Sequence, residues 1–105
     1  MANIDYDKIW QSIAALAQKD VKNYAEAATA DGKNFVEATK AKFERYVDEL
    51  AQQEIDEDDF KDDVLNLAAL ADMERLKEQE LAEAAIDQFV NGVIDILIAA
   101  GLQAI

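Results

Sequence analysis

Cysteine, histidine and proline are absent from this chain of 105 residues, and glycine occurs only three times. Without cysteine the chain can form no disulfide, no thiolate metal site and no cysteine nucleophile, which fits a cytoplasmic protein. Without histidine it lacks the side chain that most often serves as a general base or as a metal ligand. Because residues that break helices are so scarce, we expect long helices joined by few turns.

Residues that carry catalysis or bind cofactors are equally scarce. Ser12, the only serine, lies on the polar side of a predicted helix and has no base motif beside it. The three glycines are far apart, so the chain has no glycine-rich phosphate loop. A calcium loop starting at Asp56 fails, because Phe60 and Leu67 occupy ligand positions. We therefore predict a protein that is not an enzyme, with no catalytic residue, no cofactor and no metal site.

Negative charge dominates the chain and is concentrated in its second half. The net charge is −13, from 23 acidic and 10 basic residues. Residues 1–55 carry ten acidic and seven basic side chains (−3), whereas residues 56–105 carry thirteen and three (−10). Direct binding of nucleic acid needs a basic surface, so we expect that this protein does not bind nucleic acid directly. A basic surface of a partner protein, including one that normally binds nucleic acid, is the complementary alternative.

The sequence has neither the pattern of a membrane-spanning helix nor that of a signal peptide. Asp87 and Asp95 interrupt the apolar segment 84–105, and the longest charge-free run, residues 96–105, is too short to span a bilayer. The first residues have neither the basic start nor the apolar centre of a signal peptide. We therefore expect no membrane span and a cytoplasmic location.

Hydrophobic periodicity predicts a single all-α domain over residues 1–105, beginning with an antiparallel helical hairpin. The first helix is predicted over about residues 5–30, with Asp5 as its N-cap and Asp31-Gly32 as its stop. The second is predicted over about residues 33–53, where Val36 and Phe43 are a heptad apart. So short a link between two helices favours an αα-hairpin.

The clearest local signal is the helix start after Ile55. Asp56 is predicted to be the N-cap, Asp59 the acidic N3 residue, and Ile55 and Phe60 a hydrophobic staple. Six carboxylates at this helix start form what we call the acidic patch: Asp56, Glu57, Asp58, Asp59, Asp62 and Asp63. An acidic first turn stabilises a helix without any ligand, but the same carboxylates are candidates for binding a basic partner.

Two architectures compete for the rest of the chain. One is a long third helix over about residues 57–100, because segment 72–83 consists of strong helix formers. The other is a break near residues 72–83, where the apolar phase is lost, which gives a four-helix bundle. A continuous helix would be about 66 Å long, and its apolar side would then need a partner.

The last amphipathic segment, residues 84–105, is therefore the candidate oligomerisation segment. Its apolar side chains recur at helical spacing, and we call them the C-terminal stripe: Ile86, Phe89, Val90, Val93, Ile94 and Leu97. We predict a helical module for protein–protein interaction or assembly that forms a homo-oligomer through this stripe. The alternative is an acidic decoy that binds the basic, nucleic-acid-binding surface of another protein through the acidic patch.

Overall fold

The computed structural model describes residues 3–105, and these residues contain five α-helices and no strand. The helices are α1 (Tyr6–Asp20), α2 (Ala25–Ala51), α3 (Glu57–Asn66), α4 (Glu74–Glu78) and α5 (Glu83–Ala104). Two short 3-10 segments, Lys22–Tyr24 and Leu67–Leu70, precede α2 and follow α3. The prediction of an all-α fold is confirmed.

The helices form four rods, of which the third consists of α3 and α4 together. Neighbouring rods are antiparallel, because contacting residues fall in opposite chain order along them. The pairs are Ile13–Gly32 and Tyr6–Lys40 for α1 and α2, Lys8–Gln103 and Leu16–Gly92 for α1 and α5, and Phe43–Phe60 and Asp31–Leu76 for α2 and the third rod. The rods therefore alternate in direction, as in an up-and-down helical bundle.

The predicted hairpin of α1 and α2 is present, but its turn lies earlier than expected. The chain leaves the helix at Val21 (φ −136°, ψ 53°), after Asp20. Asp31 and Gly32, predicted to end the first helix, lie inside α2 and are buried. Gly32 is helical rather than left-handed, and a Cβ atom there would lie 2.8 Å from Ile13 Cγ2. This glycine therefore allows close packing of α2 on α1 and does not mark a turn.

The predicted continuous helix over residues 57–100 is wrong, and the alternative break near residues 72–83 is confirmed. The α-helix of the third rod ends at Asn66, Ala71 is extended, and α5 begins only at Glu83. Between them, Leu76 of α4 and Met73, the N-cap residue of this helix, are at most 1% exposed. The radius of gyration of 13.6 Å is close to the ~13 Å expected for a compact chain of this size.

The core lies along the axis shared by the four rods. Three phenylalanines from different rods are completely buried: Phe43 of α2, Phe60 of α3 and Phe89 of α5. The rings of Phe43 and Phe60 lie 6.4 Å apart between centroids, a favourable distance for tilted aromatic packing. Burial of these large side chains supplies the main driving force for bringing the rods together.

Candidate protein-interaction surface

The local structure around the acidic patch agrees with the helix start predicted from sequence. The Asp59 N–H donates to Asp56 Oδ1 at 2.8 Å, and the Asp56 N–H donates to Asp59 Oδ2 at 3.4 Å. These two reciprocal bonds form a capping box that orients the first turn of α3. Phe60 is fully buried, and Ile55 is half-buried in contact with the core. The start of α3 is thus held by both polar and apolar contacts.

The carboxylates of the acidic patch face solvent. Five of the six residues are exposed, and Asp63 is half-buried. Within residues 3–105 the single ion pair closer than 4 Å joins Lys77 and Asp72 (3.4 Å), away from the patch. Repulsion among the patch carboxylates is therefore not offset by a salt bridge, although the positive end of the α3 dipole stabilises those in the first turn.

An open groove overlaps the acidic patch, which supplies Asp56, Glu57 and Asp59 to its lining. The aliphatic residues of this groove are Leu50, Ile55 and Ile105, and Ile105 is 54% exposed. Its charged lining residues are all acidic: Glu54, Asp56, Glu57 and Asp59. The surface thus combines exposed aliphatic area with negative charge.

The C-terminal stripe occupies a different place from the one predicted. All six of its residues are buried within a single chain, with exposures of 0–8%, because α5 packs against α1, α2 and α3. The stripe is therefore no exposed seam in the folded monomer, which corrects the expectation of a bare apolar surface. That expectation depended on the long third helix, and it fails because the chain folds back before Glu83.

Helix α5 is the one helix among the described residues that has the length and apolar composition to span a bilayer. Core helices of water-soluble proteins meet the same criterion, and the stripe residues of α5 are in the core of this fold. Gly92 on this helix lies against Leu16 of α1, since an added Cβ atom would be 2.6 Å from Leu16 Cδ2. The two helices therefore pack closely at this point.

Asp31 has a role that the sequence pattern did not reveal. The residue is 3% exposed, and its carboxylate accepts hydrogen bonds from the backbone N–H groups of Arg75 (3.3 Å) and Leu76 (2.9 Å). These amides are the second and third of α4, the same donors that an N-cap side chain would satisfy. Met73, at the N-cap position of α4, makes no such bond. Asp31 therefore caps α4 from a helix far away in the sequence.

Two aromatic residues on α1 lie beneath lysines from α2. Lys40 Nζ is 4.7 Å from the ring centroid of Tyr6, and Lys33 Nζ is 5.4 Å from that of Trp10. Burial, and secondarily the Glu44 carboxylate, raise the pKa of Tyr6 above its usual range. The Tyr6 hydroxyl itself is buried without a hydrogen-bond partner, so Glu44 acts mainly through its charge. The two contacts between lysine side chains and aromatic rings stabilise the α1–α2 hairpin.

The described residues contain no group of three or more acidic side chains that converge as metal ligands. The fold and its surface thus define an all-α, strongly acidic bundle in which the acidic patch overlaps a partly aliphatic groove. Comparisons with protein families, with curated proteins and with solved structures found no match to this chain.

Proposed function

We propose that this protein is a non-enzymatic interaction module that binds a basic surface of a partner protein through its acidic patch. The observation that carries the proposal is the exposure of these carboxylates, together with their lack of intramolecular ion pairs within residues 3–105. A cationic partner would gain attraction without having to displace an existing salt bridge. Burial of the C-terminal stripe favours this proposal over assembly through an exposed stripe.

The groove that overlaps the patch restricts which kind of partner protein we expect to bind. Long-range attraction alone is screened beyond about 8 Å at physiological salt, so a stable complex also needs direct contact. Ile55 and Ile105 offer that contact beside the charges of the patch. We therefore expect the partner to present lysines or arginines around an apolar residue, as many nucleic-acid-binding surfaces do.

The test compares two triple variants that have equal net charge. The patch variant carries Glu57→Gln, Asp58→Asn and Asp62→Asn, which leaves the Asp56–Asp59 capping box intact. The matched control carries Glu74→Gln, Glu78→Gln and Glu83→Gln, which are also exposed. Both sets include carboxylates from the first turn of a helix, so their effects on helix stability should be similar.

Binding is measured by fluorescence anisotropy with a labelled amphipathic helical peptide made of lysine and leucine. At about 0.5 kcal/mol for each charge, the patch variant should bind about tenfold more weakly than the control. Binding to the native chain should also weaken as salt is raised. Equal affinities of the two variants would show that only net charge matters and would refute a localised site.

A further inference from the structure

The link between α4 and α5 is short and adopts a conformation that its residues disfavour. Four residues, 79–82, reverse the chain between Glu78 and Glu83. Glu80 has φ 56°, in the left-handed region that favours glycine. Gln79, Glu80, Leu81 and Ala82 include no glycine, proline or asparagine. Local preference therefore favours a continuous helix here, and the reversal is imposed by the packing of α5.

The surface that receives α5 exists on every copy of the chain. Helix α5 packs against α1, α2 and α3, all of which precede the link. Leu16, Phe60 and Gly32 contribute to that surface, where they lie against Gly92, Gly101 and the Phe89 ring respectively. An α5 supplied by a second chain would make the same contacts, so exchange loses no α5 packing.

The third rod holds its place independently of the link. Asp31 caps α4 through the amides of Arg75 and Leu76, and Met73 is buried beside them. Opening the chain at residues 79–82 disturbs none of these contacts. The four link residues need to change conformation, and of these Leu81 also gives up its partly buried packing against the core.

From this combination we infer that the partner for α5 can be a second copy of this chain, in a dimer that exchanges α5. In the exchanged dimer residues 79–82 are helical, and α4 and α5 merge into one helix over residues 74–104, about 46 Å long. Short links under conformational strain are known to favour such exchange. The dimer would present two acidic patches, but the inference is independent of their function.

The decisive experiment uses a disulfide as a reporter of which chain supplies α5. The protein has no native cysteine, so Leu16→Cys with Gly92→Cys gives a single pair. An added Cβ at Gly92 is 3.3 Å from Leu16 Cγ, which places the two Cβ atoms within reach of a disulfide. Replacing Leu16 by cysteine also removes the atoms that would crowd the new side chain.

The double variant is unfolded under reducing conditions, refolded at ~10 μM or ~1 mM and then oxidised. We expect mainly intrachain disulfides after dilute refolding and covalent dimers after concentrated refolding, resolved by non-reducing electrophoresis and light scattering. A dimer whose disulfides stay within each chain would be an unexchanged dimer and would overturn the inference. A chain that stays monomeric at both concentrations would also overturn it.

A proline variant tests the link directly in the chain without cysteines. Ala82 has φ −59°, and among residues 3–105 its N–H donates no backbone hydrogen bond, so Ala82→Pro fits the closed monomer. Proline within the merged helix would break it in both chains, and the dimer association constant should fall at least about 100-fold. Glu57→Pro, at the first position of α3, is the control and should leave the association constant unchanged. Equal dimerisation of Ala82→Pro and native chains would refute the exchange.

Discussion

Replacement of Asp31 by alanine tests the strongest long-range polar contact in the structure. The carboxylate accepts two backbone N–H groups of α4 and is 3% exposed. Asp31→Ala leaves both amides without this acceptor, the Leu76 amide in a buried site and the Arg75 amide in a partly buried one. Asp31→Asn keeps the shape and one acceptor oxygen but removes the negative charge.

The size of the effect follows from two opposing terms. Each hydrogen bond to a charged group is worth about 1.5–3 kcal/mol, so the two bonds by which Asp31 caps α4 are worth about 3–6 kcal/mol together. Alanine recovers about 0.5 kcal/mol because it is a better helix former than aspartate within α2. We therefore expect Asp31→Ala to lower the free energy of unfolding by about 2.5–5.5 kcal/mol, and Asp31→Asn by about half as much.

Urea unfolding followed by circular dichroism measures these differences. Glu37→Ala, an exposed substitution on the same helix, is the control and should change stability by less than about 0.5 kcal/mol. Native-state hydrogen exchange should show faster exchange at Arg75 and Leu76 in Asp31→Ala. If Asp31→Ala and Glu37→Ala have the same stability, the assignment of Asp31 as the cap of α4 is incorrect.

Two further predictions concern packing and pH. Gly101→Ala places a methyl group against the fully buried Phe60 ring. In urea unfolding this variant should be less stable than the native chain by about 1–3 kcal/mol. The control, Ala99→Gly on the exposed side of α5, should lose only about 1 kcal/mol. The raised pKa of Tyr6 means that the folded state holds the phenolic proton more tightly than the unfolded state, whose pKa is 10.0. The free energy of unfolding should therefore fall as pH rises above about 10, and Tyr6→Phe should remove that part of the fall. If the free energy of unfolding of the two proteins changes with pH in parallel, the prediction is wrong.

Features encoded by neighbouring residues were predictable from the sequence. Asp5 accepts the Lys8 N–H at 3.1 Å, as expected of the N-cap of α1. The capping box of Asp56 and Asp59 is present for the same reason, since both partners lie within one turn. The periodicity of α5 also identified its apolar side correctly, because helical spacing is a property of the local sequence. The acidic patch required no tertiary information beyond its exposure.

Contacts between distant residues decided what the sequence left open or predicted incorrectly. Asp31-Gly32 has the composition of a turn, yet both residues lie within α2. There Asp31 caps α4, and Gly32 leaves room for the close approach of Ile13. Segment 72–83 has the composition of a helix, but burial of Met73 and Leu76 and the packing of α5 bend it. The sequence by itself determined the all-α class, the helix starts after Asp5 and Asp56, and the location of charge, because these depend on nearby residues. Only the tertiary structure decided which apolar surface is covered by the chain itself, because that depends on where the rods reverse.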